Sequence, residues 1–106
     1  MGDDAVILEG VEGPEARASL YSTVHGAGRL FGRKEAKLRF TKAQMDGWLQ
    51  QRGVTLVGAD LDESPMAYRR LPEVLAHHSG SVRVLHARRP FAVAMAREGE
   101  FDPFKD

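Results

Sequence analysis

Apolar residues come in short runs separated by glycine, proline and charge, and the period of those runs changes along the chain. Ala5-Val-Ile-Leu-Glu9 is a run closed by Gly10 and predicts a short buried strand. Gly13-Pro14 predicts a turn or loop. Ser19 to Val24, with β-branched and aromatic members, predicts extended chain. It leads into His25-Gly-Ala-Gly-Arg29, where two glycines permit backbone geometry that other residues resist. Leu30 to Phe40 predicts a helix, with Leu30, Phe31, Lys34 and Leu38 on one side. Thr41 and Gln44 stand at the spacing of a capping box. The helix they start runs through Met45, Trp48 and Leu49, a core-facing stripe, and stops at Gly53.

Val54 to Val57 reads as a strand, and the acidic stretch Gly58 to Glu63 as a loop. Asp60, Asp62 and Glu63 lack the spacing of a calcium loop and are read as caps for the next helix. Ser64-Pro65 is a helix entry, with serine as cap and proline in the first turn. Met66 to His78 predicts either two short helices or one broken at Pro72, ended by Gly80. Val82 to Arg88 and Phe91 to Met95 predict two more strands, with Arg88-Arg89 a solvated strand end. Arg97 to Asp106 predicts an irregular tail. Mixed strands and short helices give an α+β class, and 106 residues fit one domain over 1–106.

Composition narrows the function classes. Apolar residues make up 42% of the chain, enough for a core. Fifteen basic and fifteen acidic residues cancel, which argues against a polycation that coats nucleic acid but leaves room for a local basic patch. There is no cysteine, hence neither disulfides nor a thiolate metal site. The acidic start and the short apolar runs match neither a signal peptide nor a membrane span, so the expectation is a soluble cytoplasmic protein without a membrane partner.

The segment with chemistry in it is His25-Gly26-Ala27-Gly28-Arg29. Glycines let backbone N–H groups approach an anion, and a helix start adds partial positive charge. Arg29 and Arg33, four apart, would share a helix face and suit phosphate or RNA contact, since a guanidinium holds phosphate oxygens in bidentate fashion. A neutral imidazole at His25 can attack phosphorus and hold the group as a phosphoramidate. By pattern alone, a histidine beside a glycine turn is more often structural, so both readings stand at this point.

The stretch from Ser22 to Ala36 resembles the HGAGR signature of the RtcB family of RNA-splicing ligases. Asp62-Glu-Ser-Pro-Met-Ala-Tyr-Arg69 is similar to that family's acidic-Pro-x-Ala-Tyr-Lys segment, and Val82 to Arg89 to its closing strand. The three blocks keep their order over about residues 5 to 96, in the C-terminal part of the family pattern.

The resemblance implies a specific chemistry. These ligases join RNA 3′-phosphate or 2′,3′-cyclic phosphate ends to 5′-hydroxyl ends with GTP and manganese (Mn2+), in tRNA splicing and RNA repair. A histidine takes up GMP and passes it to the RNA 3′-phosphate. His25 matches that catalytic histidine, Gly26, Ala27 and Gly28 its GMP-binding neighbours, and Arg29 and Arg33 the motif arginines. The family's manganese ligands lie upstream of the HGAGR block, so no metal site is expected here and the chain alone is expected to be inactive, with an upstream ligase half as the implied partner. His77 and His78 are helix neighbours about 100° apart and unsuited to one metal. His86 is read as a core or strand-pairing residue.

Three departures from the pattern stand out: Gly32 replaces a serine, Ala5 stands where a serine should precede the first strand, and Met95-Ala96 falls where members end in a nucleotide-touching Lys-Gly. Two other readings therefore remain beside the ligase segment. One is a non-catalytic remnant or module that binds phosphate or RNA ends, and the other is a purely structural domain.

Overall fold

A computed structural model describes residues 1–97, 99–101 and 103. Strand β1 (Ala5–Gly10) pairs antiparallel with β3 (Val82–Arg88), Ala5 opposite Arg88 and Gly10 opposite Val82, with a register shift between Ile7 and Leu8. Strand β2 (Thr55–Gly58) pairs parallel with β4 (Ala92–Met95), Thr55 opposite Ala92. Helices α1 (Pro14–Ala18), α2 (Arg33–Arg39), α3 (Lys42–Gln51) and α4 (Leu71–His77) complete the α+β architecture, with 3-10 turns over Leu61–Glu63 and Pro65–Ala67. A parallel pair cannot be joined by a hairpin. Here the two 3-10 turns, α4 and β3 all lie between β2 and β4.

The core forms where α3 meets the β2–β4 pair. Met45 and Leu49, one turn apart, are 3% and 2% exposed, and they close with Val54 on a cluster that Trp48, Leu56, Met66 and Val93 partly cover. The capping box starts α3 as its sequence predicts: Thr41 Oγ1 accepts from the Gln44 N–H at 3.2 Å, and Gln44 Oε1 accepts from the Thr41 N–H at 2.9 Å. Gly53, at φ 70°, turns the chain out of α3 toward β2.

Several local expectations are corrected. Gly13-Pro14 opens a helix and not a loop, because proline at the first helical position has its φ preset and no N–H to satisfy. The stretch after it is no strand: Leu20 and Tyr21 take positive φ (58° and 57°), and Ser19 to Ser22 turns back on α1 through N–H bonds to Glu15, Ala16 and Arg17 carbonyls. Helix α2 begins three residues later than predicted, at Arg33, since the Leu30 and Phe31 N–H groups donate across the chain to the Ala67 carbonyl. Its buried residue is Ala36, while Leu38 is 88% exposed. Of the two readings around Pro72, two short helices is the one adopted, with the proline in the first turn of α4. Ser64 does not cap the turn after it; its hydroxyl donates to the Leu61 carbonyl at 2.6 Å. The tail from Arg97 onward lies partly outside the described residues.

Candidate nucleotide site at the His25 loop

The loop carrying His25 is stitched to a distant part of the chain. Arg29 and Tyr68 form an antiparallel bridge, in which the Arg69 N–H donates to the Gly28 carbonyl at 3.0 Å and the Leu30 N–H to the Ala67 carbonyl at 2.7 Å. Gly28 sits at φ +81°, and a Cβ there would come within 2.9 Å of the Arg69 guanidinium, so both its backbone and its missing side chain are used. The two blocks that the sequence singles out, around His25 and around Tyr68, are thereby one site.

His25 and Gly26 are exposed and Ala27 is half-buried. All three line a cavity of about 420 Å³ whose wall also includes Val24, Tyr68 and Arg69. The imidazole makes no hydrogen bond or ion pair with a described residue. A larger hollow of about 560 Å³ lies beyond Ser22 and Thr23, lined by Leu8, Tyr21 and Val82 with Glu12 as its charged group. Both hollows hold carboxylates, Glu12 in the larger and Asp3 and Asp4 in the other, but of the two the His25 cavity alone is also lined by a guanidinium among the described residues, that of Arg69.

Arg29 and Arg33 are held differently from the phosphate-binding expectation. Arg29 donates through Nε to the Phe31 carbonyl (3.0 Å), through one terminal nitrogen to the Tyr68 hydroxyl (2.7 Å) and through the other to the Asp62 carbonyl (2.5 Å). Its guanidinium carbon lies 4.6 Å from the Tyr68 ring centre. Arg33 pairs with Asp62 at 3.1 Å and with Glu63, and Lys37 pairs with Asp60 at 2.8 Å. Three cations four residues apart thus face three acids of the loop. Asp60 does cap its turn, accepting from the Leu61 N–H, but Asp62 and Glu63 are buried ion-pair partners and not the helix caps that the loop's position predicts. Loop composition signals acidity; only the packing says which cations meet it.

Two titrations reflect this packing. Burial, the hydrogen bond to Glu63 and that carboxylate's charge push the Tyr68 phenol up to about 12, so it stays a donor to Glu63. Asp3, on the cavity rim, is raised by partial burial but lowered more by hydrogen bonds from Arg70 and the Leu71 and Asp4 N–H groups, to about 2.

Arg69 is the residue that sequence reading leaves without a role. It is exposed, leans over Gly28 and lines the His25 cavity. Its place in the Ala-Tyr-basic block is the signal that points to it. The remaining histidines lie elsewhere: His77 ends α4, His78 follows it, and His86 is an exposed strand-pairing residue opposite Ile7, outside the core. Ala5 lines the His25 cavity, Met95 lies in β4, and Gly32 precedes α2 in extended conformation. Among the described residues, no group of three His, Cys, Asp or Glu side chains is placed to hold a metal ion. No helix among them is long and apolar enough to cross a membrane.

A glycine-lined histidine beside an exposed arginine, in a small α+β unit, defines a candidate phosphoryl-handling site. The family model described as tRNA-splicing ligase RtcB matches residues 1–96, and the chain belongs to the RtcB family. It is 34% identical to the tRNA-splicing ligase RtcB of Thermococcus kodakarensis over 100 residues, which are 89% of this chain and 20% of that protein. To the RNA-splicing ligase RtcB of Mycobacterium bovis it is 34% identical over 89 residues, 78% of this chain and 20% of the relative. To the Pyrococcus horikoshii tRNA-splicing ligase RtcB it is 31% identical, over 89% of this chain and 11% of the relative. The chain thus spans about a fifth or less of the length of these relatives.

Proposed function

We propose that this chain supplies the nucleotide-accepting part of an RtcB-type RNA ligase, as one domain. In this reading a His25 ring nitrogen attacks the α-phosphorus of GTP, a P–N bond forms, and pyrophosphate leaves. The GMP then passes to an RNA 3′-phosphate, and a 5′-hydroxyl end displaces it as the strands join. The observation that carries the reading is the exposed, unengaged His25 imidazole in a cavity wall shared with Gly26, Ala27 and Arg69. Gly28 supports it by letting the loop close against Arg69, and Arg69 supplies a charge for a phosphate oxygen. Arg29 and Arg33 act here by holding the loop in place.

The manganese of the complete family enzyme does not fit ligands among the described residues of this segment, so no step above runs through it. In this reading the manganese ligands come from the rest of the ligase fold, in the same or a separate chain.

The test is to incubate the chain with radiolabelled GTP and manganese, alone and together with the part of the Thermococcus kodakarensis relative outside the matched region. Label is expected on the wild type in the combined sample and not on His25→Ala. Label that persists on His25→Ala, or none in any combination, overturns the reading. Without label, salt-sensitive binding of a 3′-phosphorylated oligonucleotide that Arg69→Ala weakens would favour a binding module instead.

A further inference from the structure

We infer that the hollow beside Tyr21 seats the terminal base of the RNA strand whose 3′-phosphate meets His25, a contact that rests on the reading of His25 given above. The hollow holds about 560 Å³, within the range of small-ligand sites and ample for one base. Leu8 lines both this hollow and the His25 cavity, so the two adjoin. The chain itself passes from Ser22 and Thr23 in one wall to Val24 and His25 in the other. Two residues of chain span at most roughly 7 Å, so a base in the hollow and a phosphate at His25 can belong to one nucleotide.

The walls suit a flat, uncharged group with polar edges. Leu8 and Val82 are apolar, Tyr21 brings an aromatic ring, and Ser22 and Thr23 bring hydroxyls that donate and accept. The Tyr21, Ser22 and Thr23 side chains make no hydrogen bond with a described residue and stay available to a ligand. Glu12 meets Arg17 only at 3.9 Å, with both largely exposed, and such a pair competes weakly for the carboxylate. Glu12 can therefore accept from a base amino group. A phosphate fits poorly, because the lining holds that carboxylate and, among the described residues, no guanidinium or ammonium. Stacking on an aromatic side chain is a common way to hold an unpaired base.

The backbone points the same way. Leu20 and Tyr21 both take left-handed φ, 58° and 57°, which costs free energy for a residue with a Cβ and is rare for bulky ones. Packing of the Tyr21 ring in the core would offset that cost, but the residue is 69% exposed. Folding gains little from a tyrosine there, whereas a stacked base would use it. Guanylate joined to His25 occupies the smaller cavity of about 420 Å³, so an incoming RNA end has to lie beside it. The hollow that shares Leu8 is space of that kind.

The experiment compares a short 3′-phosphorylated RNA ending in adenosine with the same RNA carrying an abasic last residue, their binding followed by fluorescence anisotropy. The chain is used alone and together with the part of the Thermococcus kodakarensis relative outside the matched region. In both samples, loss of the base should weaken binding about tenfold. Tyr21→Ala should weaken the intact RNA as much and leave the abasic RNA unchanged. Unlike the Arg69 contact, this difference should survive added salt, since stacking neutralises no phosphate. Tyr21→Gly removes the ring and the backbone strain together, so it should lose the same binding while melting no lower than wild type. That variant decides the matter if Tyr21→Ala fails to fold. Tyr21 variants that weaken both RNAs alike, a base whose loss changes nothing, no binding of either RNA, a base effect that the added ligase part abolishes, or a Tyr21 dependence shown by GTP and not by RNA would each overturn the inference. His25→Ala should keep the base effect. GMP labelling that fails while the base effect stands counts against His25 alone, and labelling that stands without a base effect counts against the hollow alone.

Discussion

Arg29 gives all three of its guanidinium nitrogens to acceptors inside the chain and covers the Tyr68 ring with the same group. Tyr68 in turn donates to Glu63, which Arg33 also pairs with. Such a network holds two buried acids at small net gain, but removing one partner exposes the full desolvation of the rest. Arg29→Ala is therefore expected to cost about 3 kcal/mol, and Tyr68→Phe, which removes one hydroxyl link, about 1–2 kcal/mol. Urea unfolding of the two variants measures both. A loss below about 0.5 kcal/mol for Arg29→Ala would place it in the range of surface pairs and undo its anchoring role. For the same reason Arg69, exposed and outside this network, is the cleaner position for testing phosphate contact.

At the scale of elements, β2 and β4 meet at a point where no side chain fits. Gly58 takes φ +81°, and a Cβ there would collide with the Met95 carbonyl oxygen. Gly58→Ala combines left-handed strain with that clash, and about 2 kcal/mol or more of destabilisation is expected, with the β2–β4 amides losing hydrogen-exchange protection first. An unchanged melting temperature would mean the strands do not approach this closely in solution. Helix α3 is legible in the sequence, because Thr41, Gln44, Met45, Leu49 and Gly53 are local signals of start, face and stop. Helix α2 was legible only in part. Its predicted first turn is spent on bonds from Leu30 and Phe31 to Ala67, a partner 36 or more residues away that no local pattern names.

Over the whole molecule, the first four residues act as a clasp between α3 and α4. Asp3 accepts from Arg70 and from the Leu71 N–H at 3.0 Å, so it caps α4 from the far end of the chain. Arg52, at the end of α3, donates to the Gly2 carbonyl and pairs with Asp3 and Asp4. With its carboxyl held at about 2 in the fold against an ordinary value near 4, Asp3 binds its proton more readily when unfolded. Its contribution is complete above about pH 4 and disappears as pH falls through about 2. Melting temperatures should therefore separate wild type from Asp3→Asn at pH 6 and converge near pH 2; a constant gap across that range would remove Asp3 from the acid response.

The sequence by itself determined the α+β class, the α3 helix and the four strands, because periodicity, caps and glycines act over a few neighbouring residues. It also placed His25 next to its glycines. The block around Tyr68 stands out only through its resemblance to the RtcB family. Tertiary structure decided that Arg29 and Arg33 face Asp62 and Glu63, that Arg69 leans over Gly28, and that Asp3 caps α4. Each of these joins groups tens of residues apart, and charge pairing depends on which ions are brought together with water excluded, a matter of distance and burial that composition does not encode.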